Sequence, residues 1–195
     1  MRKVGFIFLA LLMFAGLASA QVPTSGNVFF GYSYENTSSS TLGFANSTRA
    51  NLNGWEASVE GKVFPLLGFV ADVAGHYGTQ NYEFNVGGIN TPVSVNGHEI
   101  TAMFGPRISA GVGKFRPFAE ALFGVGHITT AQSSSVATNF NQPNDTSFAW
   151  ALGGGLDYKI IRPIAWRFQG DYVETRFFGD TQNDIRLSTG IVVRF

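Results

Sequence analysis

From Gly26 onward the chain alternates apolar and polar residues with a period of two, stretch after stretch, as β-strands with one oily and one wet face do. The last stretch, 183–195, shows it well. Ile185, Leu187, Thr189, Ile191, Val193 and Phe195 share one parity, while Arg186, Ser188, Gly190 and Arg194 hold the other, with Val192 the exception. The first stretch, 26–35, sets Val28, Phe30, Tyr32 and Tyr34 against Gly31, Ser33 and Glu35. Its Phe29 falls on the polar parity, so that ring is expected to pack inside. Segment 53–64 opposes Trp55, Ala57, Val59 and Val63 to Glu56, Ser58, Glu60 and Lys62, and segment 68–77 opposes Phe69, Ala71, Val73 and Tyr77 to Asp72, Ala74 and His76. Segments 97–110, 115–127, 147–159 and 164–172 repeat the pattern. Pro106 lies inside one of them, and because proline has no N–H a bulge or local bend is expected there.

The connections alternate in length. Short turns are expected at 65–67, 111–114 and 160–163, and longer polar loops at 36–51, 78–96, 128–146 and 176–182. Each stretch is about as long as a tilted strand that crosses a bilayer, roughly 9 to 11 residues. The predicted fold is therefore all-β, an eight-stranded antiparallel up-and-down transmembrane β-barrel with short periplasmic turns and four longer extracellular loops. A lipocalin-like barrel or a β-sandwich would turn the apolar parity inward. An apolar parity continuous through all eight stretches, behind a secretory leader, argues against both.

That leader is 1–20: Arg2 and Lys3, an uncharged apolar run to Leu17, then Ala18-Ser19-Ala20. It reads as a cleaved signal peptide, which leaves 21–195 as one barrel domain. There is no cysteine, hence no disulfide and no lipoprotein anchor. Without Arg2 and Lys3 the chain carries 11 basic and 13 acidic residues, a balance that argues against nucleic acid as a partner.

On this parity the wall facing lipid is free of charge until Glu174, which is expected above the bilayer. The inward parity holds Glu35, Glu56, Glu60, Asp72, Glu99, Glu120, Asp157 and Asp171 with Lys62, Arg107, Lys159, Arg167, Arg186 and Arg194. An eight-stranded barrel is only just wide enough for its own side chains, so these charges must pair or hold trapped water. Arg107, Arg167 and Glu120 are expected near mid-depth. The network reads first as structural glue and second as a gated polar path. Phe69, Tyr158, Trp166 and Phe195 toward the short turns, and Tyr34, Trp55, Tyr77, Phe148 and Tyr172 toward the loops, are expected to form interfacial girdles.

Taken together, these features resemble the small outer-membrane β-barrel family that includes the transmembrane domain of outer-membrane protein A and its shorter relative X. The resemblance implies a bacterial outer-membrane location among lipids that include lipopolysaccharide. It also implies recognition by the barrel assembly machinery through Ile191, Val193 and the terminal Phe195. The peptidoglycan-binding domain that follows the barrel in protein A is not expected here. Some barrels of this fold modify lipid A with a His and a Ser at the outer leaflet. His76, His98 and His127 are expected near the external ends, but His127-Ile128-Thr129 does not match the deacylase-like His-x-Ser pattern, and rim histidines are the plainer reading. No His or Cys spacing suggests a metal, and no cofactor or catalytic residue is expected. The leading function is a structural or surface-interaction role, in envelope integrity or in adhesion through the external loops, whose ligand the sequence leaves open. A small ion or solute pore is the alternative, and a lipid A enzyme the third.

Overall fold

The computed structural model describes residues 25–38, 49–86, 89–134 and 144–195, apart from the side chains of 38, 80–95 and 130–134. The expected leader, with its cleavage site, lies outside the described residues, as do 39–48, 87–88 and 135–143 of the loops. Eight strands follow in order: β1 (Gly26–Ser38), β2 (Arg49–Lys62), β3 (Leu67–Val86), β4 (Ile89–Ser109), β5 (Phe115–Ser134), β6 (Asn144–Lys159), β7 (Ile164–Thr175) and β8 (Gln182–Arg194). Each pairs with its chain neighbours, and β8 returns to β1 to close the barrel. All pairings are antiparallel. Gly26 and Phe195 exchange backbone hydrogen bonds of 2.9 and 3.1 Å, so the seam is closed at its last residue.

The register fixes the barrel's width. Stepping from Gly154 on β6 through Gly170, Leu187, Tyr34, Asn53, Tyr77, His98 and Thr129 returns to β6 at Asn144, ten residues from the start. With eight strands, a stagger of that size tilts each strand by about 40° and leaves an interior that side chains fill.

Parity decides what faces where. Phe30, Ile108 and Phe168 stand 60–63 % exposed on the outer wall, while Phe29, Glu56 and Arg167 on the alternate parity are 0 % exposed. A continuous apolar wall of this extent is untenable in water and fits hydrocarbon. Polar groups on it are paired: Trp166 Nε1 donates to Thr189 Oγ1 at 2.8 Å. At the long-loop edge Tyr34 and Tyr172 donate to Asn51 and Asn183 at 2.8 and 2.6 Å, and Tyr32 donates to Asn53. These bonds give the girdle tyrosines their polar anchor.

Two expectations are corrected. Segments 78–96 and 128–146 are not simply loops, because the β3–β4 ladder runs on to Val86↔Ile89 and β4–β5 to Val93↔Ser134. In 128–134 alternation is hidden by Thr, Gln and Ser, whereas in 82–96 it persists as Tyr82, Phe84 and Val86 against Glu83 and Asn85, and Ile89, Val93 and Val95 against Asn90, Ser94 and Asn96, beneath a polar, glycine-containing composition that reads as a loop. Among the described residues, the last pair of β3 with β2 is Tyr77↔Asn53 and the last of β5 with β6 is Thr129↔Asn144. The three strands leave the closed wall as a projecting sheet. Pro106 makes no bulge either: the β4–β5 register is the same on both sides, Phe104↔Phe123 and Arg107↔Glu120, with only the pairs at Gly105 and Pro106 missing. The lost N–H is absorbed as a gap in one ladder, while the β3 side pairs through it.

Candidate functional site: the charged interior

The inward residues build three levels. Nearest the short turns, Arg167 Nε donates to Asp157 Oδ1 at 2.7 Å, and its guanidinium lies between the rings of Phe29 and Phe118, 4.9 and 4.6 Å from their centroids. Arg194 joins Asp157 from the rim at 3.1 Å. Arg107 reaches Glu120 at 2.6 Å and Glu60 at 3.4 Å and stacks on the other part of Phe118 at 4.4 Å. Lys62 pairs with Glu60 at 2.7 Å, and Asn27 donates to the same carboxylate at 2.6 Å. Cation–π contact lets a buried guanidinium use both its edge and its face.

The middle level is organised by Arg186. It meets Asp171 at 3.0 Å, Asp72 at 3.2 Å and Glu56 at 3.6 Å. Gln169 joins the two levels: its Nε2 lies 2.9, 3.0 and 2.9 Å from carboxylate oxygens of Glu56, Glu120 and Asp171. An amide can do this where a charged side chain would upset the balance.

The outer level differs. Ser33 Oγ sits 2.8 Å from His76 Nε2, and His76 Nδ1 lies 3.3 Å from Glu35 Oε2. Ser188 Oγ continues the chain, 2.9 Å from Ser33 Oγ and 2.5 Å from Glu56 Oε2. Glu99, opposite His76 in the ladder, has no hydrogen-bond partner on either carboxylate oxygen among the described residues. It is repelled by Glu35 and Asp184 and attracted by Arg186. Leu52 and Ile128 close over this level, and the 3₁₀ turn Phe177–Gly179 tucks Phe177 inward against Gly126 and Thr175. Gln182 holds that turn, accepting from Phe177 N–H at 2.8 Å.

Serine, histidine and carboxylate in this order have the connectivity of a nucleophile, a base and its orienting acid. Ser33, His76 and Glu35 are nevertheless sealed inside, at most 1 % exposed, with no path for an acyl chain lying on the outer wall. Only Ser188, Ser33 and His76 Nε2 form a buried hydrogen-bond chain; His76 Nδ1 stands 3.3 Å from Glu35 without a hydrogen bond to it.

His76 is not a rim residue: it occupies the inward parity and is fully buried, a position the alternation of 68–77 already implied. His98 stacks on Tyr77 at 4.4 Å, and His127 is exposed beside Thr146 and Thr129 at 2.7 and 3.3 Å. Arg167 and Arg107 are not at mid-depth: Arg167 lies only three residues into β7 and contacts Asn27 at the foot of β1, and Arg107 lies two residues from the short-turn end of β4, where it holds Glu120 in the same level. Arg186 takes the centre. Lys159 forms no ion pair with a described residue and lies at the short-turn mouth. Glu174 pairs with Arg176 at 3.5 Å beyond the apolar wall. Asp184, Asn27, Gln169 and Ser188 complete the interior and escaped the charge reading, Asp184 although it shares the parity of Arg186.

No protein-family model and no curated protein matches the chain. Solved structures do. The attachment invasion locus protein Ail of Yersinia pestis, solved with the heparin analogue sucrose octasulfate, superposes with a TM-score of 0.59 at 13 % identity over 88 % of this chain and 98 % of Ail. The fold is that of the eight-stranded outer-membrane barrels. Neisserial surface protein A matches with a TM-score of 0.59 at 13 % identity over 87 % of this chain and 97 % of its own. OprG of Pseudomonas aeruginosa matches at 0.52 and 9 % identity over 88 % and 95 %. At such identities the outer-membrane barrel architecture is what the chains share; the interior pairs described above belong to this barrel's own sequence.

Proposed function

We propose that the protein is a closed, non-conducting outer-membrane barrel whose work is surface interaction through the sheet that β3, β4 and β5 raise above the membrane. The observation that carries this reading is the ladder from Gly78↔Gly97 to Val86↔Ile89, nine pairs beyond the closed wall, or about 30 Å of strand. Such length is not needed to finish a barrel. It presents a stiff edge and two faces to whatever approaches the cell.

Closure supports the same reading. Phe29, Val192, Arg167, Arg107, Glu56, Arg186, His76 and Phe177 run from one end of the lumen to the other, and all are 0 % exposed. No water-wide channel runs along them.

Charge narrows the ligand. Ail was solved with a sulfated sugar, but residues 78–96 and 128–146 of this chain contain no Lys or Arg, 36–51 contain only Arg49, and 176–182 only Arg176, which pairs with Glu174. A polyanion has little to hold at this end, so a neutral or polar ligand suits the sheet better. The final strand, through Ile191, Val193 and Phe195, would be read by the barrel assembly machinery, and the outer-membrane lipids surround the wall.

The deciding experiment compares bacteria displaying the full chain with bacteria displaying a chain in which 80–94 is replaced by a two-residue turn. The shortened barrel is expected to fold and to lose host-cell or matrix binding. Unchanged binding would refute the reading. The refolded protein is also expected to be silent in planar bilayers, and discrete conductance steps would favour the pore instead.

A further inference from the structure

At the periplasmic end, the turns 110–114 and 160–163 and the last residues of the chain enclose a cleft of about 370 Å³. A second cleft of about 400 Å³ shares Arg116, Arg194 and Phe195 with it, so the two are halves of one mouth. Five cations line the first half, Lys114, Arg116, Lys159, Arg162 and Arg194, and no acidic side chain does. Arg194 is held by Asp157 and keeps a buried Nε without a partner. The other four make no side-chain hydrogen bond or ion pair with any described residue. Cations gathered in this way repel one another. A multivalent anion would relieve that repulsion.

The same cleft has an apolar border. Phe115, Ile161 and Phe195 line it and are 49, 58 and 62 % exposed. Exposed apolar side chains beside cations mark the level where hydrocarbon meets head groups. Free phosphate has no use for such a border, whereas a lipid uses both parts. We propose that this mouth binds the phosphate of an anionic phospholipid of the periplasmic leaflet. Lys114, Lys159 and Arg162 supply charge, and Arg116 offers the planar fork that suits phosphate oxygens. Phe115 and Ile161 meet the acyl chains. The site is independent of the projecting sheet, at the opposite end of the barrel.

The test uses the full barrel refolded in nanodiscs of phosphatidylcholine, with or without added phosphatidylglycerol. Lipid retained on release is weighed by native mass spectrometry, and the unfolding midpoint is followed in parallel. Phosphatidylglycerol is expected to be retained in preference and to raise the midpoint. The K114Q/K159Q/R162Q variant should lose that preference by about fivefold per cation while unfolding normally in pure phosphatidylcholine. Equal retention of the two lipids, or a variant that keeps the preference, would overturn the proposal. So would inorganic phosphate stabilising the barrel in phosphatidylcholine as strongly as the lipid does, since the ligand would then be a soluble anion.

Discussion

Toward the short turns, Arg107 and Arg167 each face a carboxylate at hydrogen-bond distance and an aromatic ring. Toward the long loops, Glu35 and Glu99 share the lumen with Ser33, His76 and Thr101, and the nearest guanidinium is Arg186 one level below. Both ends are equally buried and use the same kinds of residue. They differ in count: Lys62, Arg107, Arg167 and Arg194 outnumber Glu60, Glu120 and Asp157 at one end, whereas carboxylates outnumber cations at the other. A buried charge is tolerated in proportion to its partners, so the level nearest the short turns should be the rigid part of the lumen, the middle level should depend on Arg186 alone, and the outer level should tolerate substitution.

The largest effect is expected where the two parts meet. Arg186→Ala leaves Asp72, Asp171 and Glu56 without their shared cation, and removing one partner of a buried pair costs roughly 3–5 kcal/mol. Urea unfolding of the barrel in lipid vesicles should show a loss of that size; a loss under about 1 kcal/mol would mean that the carboxylates do not depend on Arg186. Arg167→Ala strands Asp157, but Arg194 still reaches that carboxylate at 3.1 Å. A smaller loss of about 2–3 kcal/mol follows, and Arg167→Lys should recover only part of it because an ammonium cannot stack between Phe29 and Phe118 as a guanidinium does. Full recovery by lysine would show that the rings contribute nothing. Glu99→Gln is expected to have the smallest effect, and with the opposite sign. Its carboxylate oxygens lack hydrogen-bond partners and are repelled by Glu35 and Asp184, so removing the charge should be neutral or stabilising by up to about 1 kcal/mol. A clear destabilisation would assign Glu99 a partner and erase the contrast between the two ends.

The outside of the barrel repeats the contrast with the signs exposed. The short-turn mouth gathers Lys114, Arg116, Lys159 and Arg162, whereas the loop stretches 78–96 and 128–146 carry no basic residue. On the proposals above, one end would take anions held close to the membrane and the other neutral partners beyond it.

Much of this was legible in the chain itself. Period-two alternation gave the strands, their number and the face each side chain occupies, because successive strand residues point to opposite sides of a sheet. It put Phe29 inside and set His76 on the inward parity, although the histidines were expected at the rim; among the charges it missed Asp184 and counted Lys159, which lies at the short-turn mouth. Alternation has no memory of neighbours, however. It could not tell that Arg186 rather than Arg167 holds the centre, nor that Gln169 bridges Glu56, Glu120 and Asp171. The contacts of Gln169 with Glu56 and Glu120 and of Arg186 with Asp72 join residues 49 to 114 positions apart and depend on the ten-residue stagger and strand tilt that closure imposes. The projecting sheet was legible only in part: Tyr82, Phe84 and Val86, and Ile89, Val93 and Val95, keep the period of two, but Gly87-Gly88 and the many Asn, Thr and Ser read as a loop, and 128–134 has no period at all. The sequence by itself determined which side of the wall each residue takes, because lipid and lumen select on polarity alone; which residues meet across the lumen was decided only when the eight strands closed.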